Sequence, residues 1–235
     1  MDSIGRENLT GPLGKKSTRA RLLEEAEALV RRRGYEGFSY ADLAETLGIR
    51  KASIHHYFPS KEDLGAALIA DYRERYNAAL QAISEERQSG IEKLEAYAML
   101  YINGLKNDLG CLCGVMACEH DILPERLREG VRDFFAGHLL WLRQAVESGI
   151  RDATIRPDAE PQSCAKLVLS TLEGMLMLGR LFKEAPGFET AAAALWQILR
   201  PGQGAKIDAS GSNWSTSLPL AAAPAQEPRH MDEIP

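Results

Sequence analysis

Valine and threonine are scarce in this 235-residue sequence, at 5 and 7, against 31 alanines, 30 leucines and 22 glutamates. Strong helix formers crowd out the β-branched residues that a sheet depends on, so the expected fold class is all-α. Long hydrophobic runs are missing too. No apolar stretch approaches the ~18 residues of a membrane span, since even residues 167–178 are interrupted by Glu173, and no membrane partner is expected. Residues 1–8 carry Asp2, Arg6 and Glu7 with no apolar block, so no secretory signal is read and a cytoplasmic address is expected. Four cysteines, Cys111, Cys113, Cys118 and Cys164, are too few and too clustered for a disulfide framework, which leaves reduced thiols. No Gly-rich phosphate loop, nucleophile elbow or His-Glu metal motif occurs, which argues against an enzyme, a cofactor or a metal site.

What is present is an ordinary globular composition, 45% hydrophobic and 26% charged, long enough for one large or two small domains. The net charge of −5 is unevenly spread: residues 15–61 hold ten basic and six acidic side chains, +4, which leaves −9 elsewhere. A small basic module attached to a larger acidic body fits this asymmetry, and so does a solvated helix face.

Residues 1–17 are polar and Gly-rich and read as a flexible arm. Residues 18–33 place Leu22, Ala26, Leu29 and Val30 at helical spacing before Gly34, a first helix. Ser39 with Asp42, and Ser60 with Asp63, have the capping-box spacing. They open a short helix that ends at Gly48 and a long one from Lys61 to about Arg87, with another short helix, 51–58, between. Further helices are expected over 91–107, in a Cys-rich turn from Gly110, over 125–149, over 163–183 and, after a break at Pro186-Gly187, over 188–199. Residues 203–235 turn to Ser, Ala, Pro and Gly without periodicity and read as a disordered tail.

Two short helices joined by a Gly-containing turn, the second rich in polar and basic residues, describe a helix-turn-helix, whose second helix enters the DNA major groove. The longer string is more specific: Thr18-Arg19, Gly34-Tyr35, Phe38-Ser39, Asp42 to Gly48 (DLAETLG), Ile49, His56-Tyr57-Phe58-Pro59-Ser60-Lys61 and Leu64. In order and spacing it resembles the DNA-binding domain of the TetR family of transcriptional regulators. The resemblance implies a DNA-binding domain over 18–64 and a helical ligand-binding and dimerisation domain over 65–202. It implies Lys51 and Ser53 as groove readers, with Arg50, His55 and His56 beside them. Tyr57 and Lys61 would hold phosphates, and the Thr18 and Ser39 hydroxyls would reach the duplex backbone. Arg50, Ala52 and His55 stand where the family usually has a capping Ser or Thr, a Gly and a Tyr; the two histidines read equally as packed spacers.

The late helices 163–183 and 188–199 resemble the family's dimer-forming pair, which implies a homodimer with a two-fold interface. An effector pocket among the helices 91–107, 125–149 and 163–183 would draw on Tyr101, Cys113, Phe134, His138, Trp141, Glu173 and Met177, each equally readable as core. The effector is unknown. The run GCLCGVMACEH, Gly110 to His120, puts Cys111 in the first turn of a helix, where the dipole favours thiolate. It resembles a TetR-family subgroup of electrophile and oxidant sensors, which makes Cys111, Cys113 and Cys118 redox-sensing candidates; inert buried cysteine is the alternative. Cys113, Cys118 and His120 match no familiar zinc spacing. On this reading the helix from Lys61 is the only direct connection between body and reading head. The rival classes are a helical protein-binding adaptor and an enzyme without recognised motifs.

Overall fold

Helical spacing in the sequence is realised as nine α-helices among the described residues, 17–183 and 185–202, of a computed structural model: α1 (Thr18–Arg33), α2 (Tyr40–Leu47), α3 (Lys51–Tyr57), α4 (Lys61–Glu86), α5 (Gly90–Lys106), α6 (Leu112–Cys118), α7 (Glu125–Arg151), α8 (Pro161–Phe182) and α9 (Ala185–Leu199). The expected arm, apart from Ser17, and the expected tail lie outside the described residues.

Helix starts follow the local chemistry. Ser39 and Ser60 each form the full capping box with Asp42 and Asp63, and Ser89 with Glu92 forms a third, unforeseen one at α5; such a cap stabilises by about 1 kcal/mol. Two helix starts differ from expectation by two or three residues. α8 begins at Pro161 rather than Ser163, because the Glu160 carboxylate caps the Gln162 and Ser163 amides at 3.0 and 2.7 Å. α9 begins at Ala185, before the Pro186-Gly187 pair expected to interrupt the chain: a proline in the first turn forfeits no helical hydrogen bond.

α1, α2, α3 and the start of α4 close over Leu22, Ala26, Val30, Leu43, Ile54, Phe58 and Leu64, all buried. The larger core joins α4 to α5, α7, α8 and α9 through Tyr97, Leu127, Leu142, Val146, Leu172 and Phe188. α4, at 26 residues about 39 Å long, runs through both regions, so residue 64 falls inside a continuous helix. α6 packs on α1 as well as on α4 and α7. The expectation that α4 alone touches the head is therefore corrected: Arg31 at the end of α1 exchanges two hydrogen bonds with Gly110, and the Glu119 carboxylate accepts from the Tyr35 and Glu36 amides. Among the described residues no helix is long and apolar enough to cross a membrane.

Candidate nucleic-acid interface and effector layer

On α3, Ile54 is buried and Phe58 follows it into the core, which turns Lys51, Ala52, Ser53, His55, His56 and Tyr57 outward. The Gly48 turn between α2 and α3 adopts the left-handed conformation, φ 64° and ψ 36°, which glycine adopts without penalty. Arg50 is the α3 N-cap and makes no side-chain capping bond, so its guanidinium stands exposed beside Lys51. Lys51, Ser53 and His56 are thus all exposed on α3.

His55 is exposed yet engaged: its Nδ1–H donates to the Pro59 carbonyl at 3.1 Å, and its ring lies 4.9 Å from that of Tyr40. The Tyr40 hydroxyl reaches the Phe58 and Ser60 carbonyls at 2.9 and 2.6 Å. Burial, aided by Asp63, pushes its pKa up to about 12, so it stays a donor that ties α2 to the α3–α4 turn. Sequence reasoning passed over Tyr40; its place one residue after a capping serine was the available signal.

Lys61 is half-buried, its ammonium 4.6 Å above the Tyr35 ring, 5.1 Å from Phe38 and 3.6 Å from the Glu36 carboxylate. It lies at the mouth of α4 but is not a free cation. The α1 N-cap is Ser17, whose hydroxyl accepts from the Ala20 amide at 3.2 Å, and Thr18 is the first helical residue. The Ser39 hydroxyl is committed to its cap, 2.5 Å from Asp42.

In the body, Tyr101 donates to the Glu173 carboxylate at 3.2 Å, the Tyr97 and Tyr101 hydroxyls lie 3.2 Å apart, and Tyr97 meets His138 Nδ1 at 2.8 Å. The rings of Phe134 and Trp141 close the cluster, 4.1 Å from His138 and 5.6 Å from Tyr97; the Trp141 indole N–H donates to Ser84 at 2.9 Å. Five of the seven expected pocket residues therefore meet in one polar-aromatic layer. Cys113 is buried on α6. Met177 is a correction: it is 63% exposed on α8, although its i, i+4 spacing sets it one turn beyond Glu173 on the same side of the helix. Tyr97, which links the layer, was missed, although its spacing from Tyr101 puts both on one face of α5.

Burial raises the Glu173 pKa, against the hydrogen bonds from Cys111 and Tyr101, and lowers that of His138 to about 4. His138 Nε2 is buried without a hydrogen-bond partner. Two cavities border the layer, and none of the seven expected residues lines either. One of about 270 Å³ lies among Arg31, Tyr72, Arg75, Tyr76, Leu100 and Gly104. One of about 360 Å³ lies between α5 and α9 over Ala98, Met99, Ile102, Phe188 and Trp196.

Cys111 is the α6 N-cap, its Sγ accepting from the Gly114 amide at 3.4 Å. The thiolate-favouring environment expected there is corrected: burial, then the neighbouring Glu173, pushes its pKa well above the ordinary thiol value. Cys113 is likewise raised by burial and Glu173, whereas Cys118 is exposed. Among the described residues no three His, Cys, Asp or Glu side chains converge as a metal site, Cys113, Cys118 and His120 included.

Comparison with known proteins follows the same division. Residues 22–68 match the family model described as bacterial regulatory proteins, tetR family, and residues 90–195 match the tetracyclin repressor-like C-terminal domain. The HTH-type transcriptional repressor NemR of Escherichia coli K12 is 28% identical over 190 residues, 77% of this chain and 94% of the relative. A TetR transcriptional regulator from Legionella pneumophila superposes with a TM-score of 0.73 at 30% identity, over 80% of this chain and all of that one. The reduced form of E. coli NemR does so at 0.68 and 25% identity, over 78% and 97%.

Proposed function

The chain belongs to the TetR family of bacterial transcriptional regulators, and from that premise we propose that it is a homodimeric, cytoplasmic repressor that binds a palindromic operator and is released by a small-molecule effector. The observation that carries the DNA half is the α3 face, where Lys51, Ser53 and His56 project around the buried anchors Ile54 and Phe58. Lys51 and Ser53 read base edges, while Tyr57, Lys61, Arg50 and the Thr18 hydroxyl hold the duplex backbone, the Ser39 hydroxyl being held by its own helix cap.

The dimer half rests on α8 and α9. Leu167, Met177, Leu178, Leu181 and Phe182 on α8, and Ile198 on α9, are exposed, and a Cβ on Gly174 would meet nothing within 4 Å. A second copy packed there would bury these side chains across a two-fold axis and fix the spacing of the two α3 helices.

The effector half rests on the Tyr101–Glu173–Tyr97–His138 layer, whose unpartnered His138 Nε2 and raised Glu173 suit a ligand with its own donors and acceptors. A thiol-reactive effector is the second reading. It is favoured by the likeness to NemR, one of whose solved structures is described as a reduced form. With the thiol protonated and buried, an adduct requires α6 to open first.

Selection of bound fragments from genomic DNA, followed by binding measurements at low and high salt, tests the proposal. A defined palindrome, bound by a dimer and lost at high salt, is expected. Retention of no duplex at low salt, with intact binding to a protein partner, would favour the adaptor class.

A further inference from the structure

Two structural connections lead from the body to the reading head, and the second runs through α6. At its start, the Gly110 N–H donates to the Arg31 carbonyl at 3.2 Å and Arg31 Nε–H donates to the Gly110 carbonyl at 2.7 Å. Just past its end, the Glu119 carboxylate accepts from the Tyr35 amide at 2.7 Å and the Glu36 amide at 3.3 Å. Those two amides belong to the turn between α1 and α2, outside either helix, and the carboxylate supplies the acceptor that the turn does not.

The turn is built around that carboxylate. Gly34 has φ 90°, and a Cβ there would stand 2.3 Å from Glu119 Oε1. Tyr35 is buried, edge-on to Phe38 at 6.2 Å, with the Lys61 ammonium over its ring. Where Glu119 holds Tyr35, it sets the seating of α2 against the mouth of α4, and α3 follows α2. On its other side α6 abuts the effector layer: a Cβ on Gly114 would lie 2.6 Å from Glu173 Oε2. Close-packed contacts of this kind transmit displacement rather than absorb it.

We propose that Glu119 is a positioning residue for DNA recognition, which holds the α1–α2 turn through its carboxylate and couples the Glu173 layer to the head by a route separate from α4. The coupling half rests on the effector reading above; the positioning half does not.

The test uses the full chain, the duplex recovered by genomic selection, and the variants Glu119→Ala, Glu119→Gln, Glu173→Gln and Glu119→Ala/Glu173→Gln. Glu119→Ala should keep wild-type helicity, speed hydrogen exchange at the Tyr35 and Glu36 amides, and weaken DNA binding about tenfold, the loss of one or two charge-assisted hydrogen bonds. Glu119→Gln, which keeps one acceptor oxygen, should fall between. Unchanged exchange and affinity in Glu119→Ala would overturn the positioning role, as would a loss of affinity that comes only with global unfolding in both Glu119 variants. In the double-mutant cycle, DNA affinities should depart from additivity by about threefold or more. Additivity would overturn the coupling. No effector enters the cycle, so failure to find a releasing ligand bears on the effector reading alone.

Discussion

Acidification should destabilise the fold through His138. The imidazole is buried among the rings of Phe134, Tyr76 and Tyr97, at 4.1, 5.5 and 5.6 Å. Nδ1 meets the Tyr97 hydroxyl, Nε2 has no hydrogen-bond partner, and Glu173 is reached only through two phenols. Burial therefore favours the neutral ring and lowers its pKa from 6.5 to about 4. The unfolded chain takes up the proton near pH 6.5 and the folded chain does not until about pH 4. The stability at stake is thus whole above pH 6.5, lost as pH falls through that window, and constant below it. At 1.36 kcal/mol per pKa unit the loss is about 3 kcal/mol in full and about 2.5 kcal/mol by pH 4.5. Glu173, whose pKa is raised, acts with the opposite sign, since protonating it relieves a buried charge. Its contribution cancels when wild type is compared with His138→Gln. Urea unfolding of both proteins at one concentration, from pH 7.5 to 4.5, should show the wild-type advantage shrinking by about 2.5 kcal/mol. Parallel pH profiles within about 0.5 kcal/mol, or an imidazole resonance for residue 138 titrating near pH 6.5, would refute the reasoning.

Lys51→Ala should weaken binding and relax base preference, whereas Lys61→Ala should weaken binding to all sequences alike and lower the salt slope by about 0.9; equal, small effects of both would remove the distinction drawn between groove and backbone. The chain should sediment as a dimer at micromolar concentration, and Leu181→Glu with Phe182→Glu should yield monomers that bind the operator poorly. A stable wild-type monomer would defeat the α8–α9 interface. If the thiol reading holds, a maleimide that adds the Cys111 S–H across its double bond should release DNA slowly; Cys111→Ser should bind normally and ignore the reagent, and Cys164→Ser should behave as wild type. Survival of the complex with Cys111 shown modified by mass spectrometry would leave the noncovalent effector.

The head was legible because its signals are local. Ser39/Asp42, Ser60/Asp63 and Gly48 each specify a turn or cap within four residues, and the DLAETLG and HYFPSK strings carry the family pattern on top of them. The body was legible as helices with apolar faces, and the Tyr101, Phe134, His138, Trp141 and Glu173 convergence followed from their inward registers. Burial depth was not legible. The dipole argument for Cys111 considered one helix end, whereas its pKa is governed by desolvation and by Glu173, 62 residues away in sequence. Lys61 was read from its place at a helix start, which is correct, but its partners Tyr35 and Glu36 lie in another turn. Glu119 carried no signal, because its acceptor role exists only once α6 is docked on α1.

Magnitudes bear on whether the α6 connection suffices for regulation. A hundredfold loss of DNA affinity corresponds to about 2.7 kcal/mol of difference between bound-competent and released conformations. An effector supplies this only if it binds one conformation that much better than the other. A hydrogen bond to a charged group contributes about 1.5–3 kcal/mol, so exchanging the Glu119–Tyr35 bond for water supplies about half of that difference. The motion that breaks it need be no larger than the length of a hydrogen bond, since α6 fills the space between Glu173 and the α1–α2 turn. By comparison, α4 must pivot as a whole, against the Arg126–Asp63 pair at 3.0 Å and the packing of Leu127 on Gly65. On these terms the short helix is the more sensitive of the two connections, and in the proposed dimer α4 would be the one that turns a small displacement into a change in the separation of the two reading heads.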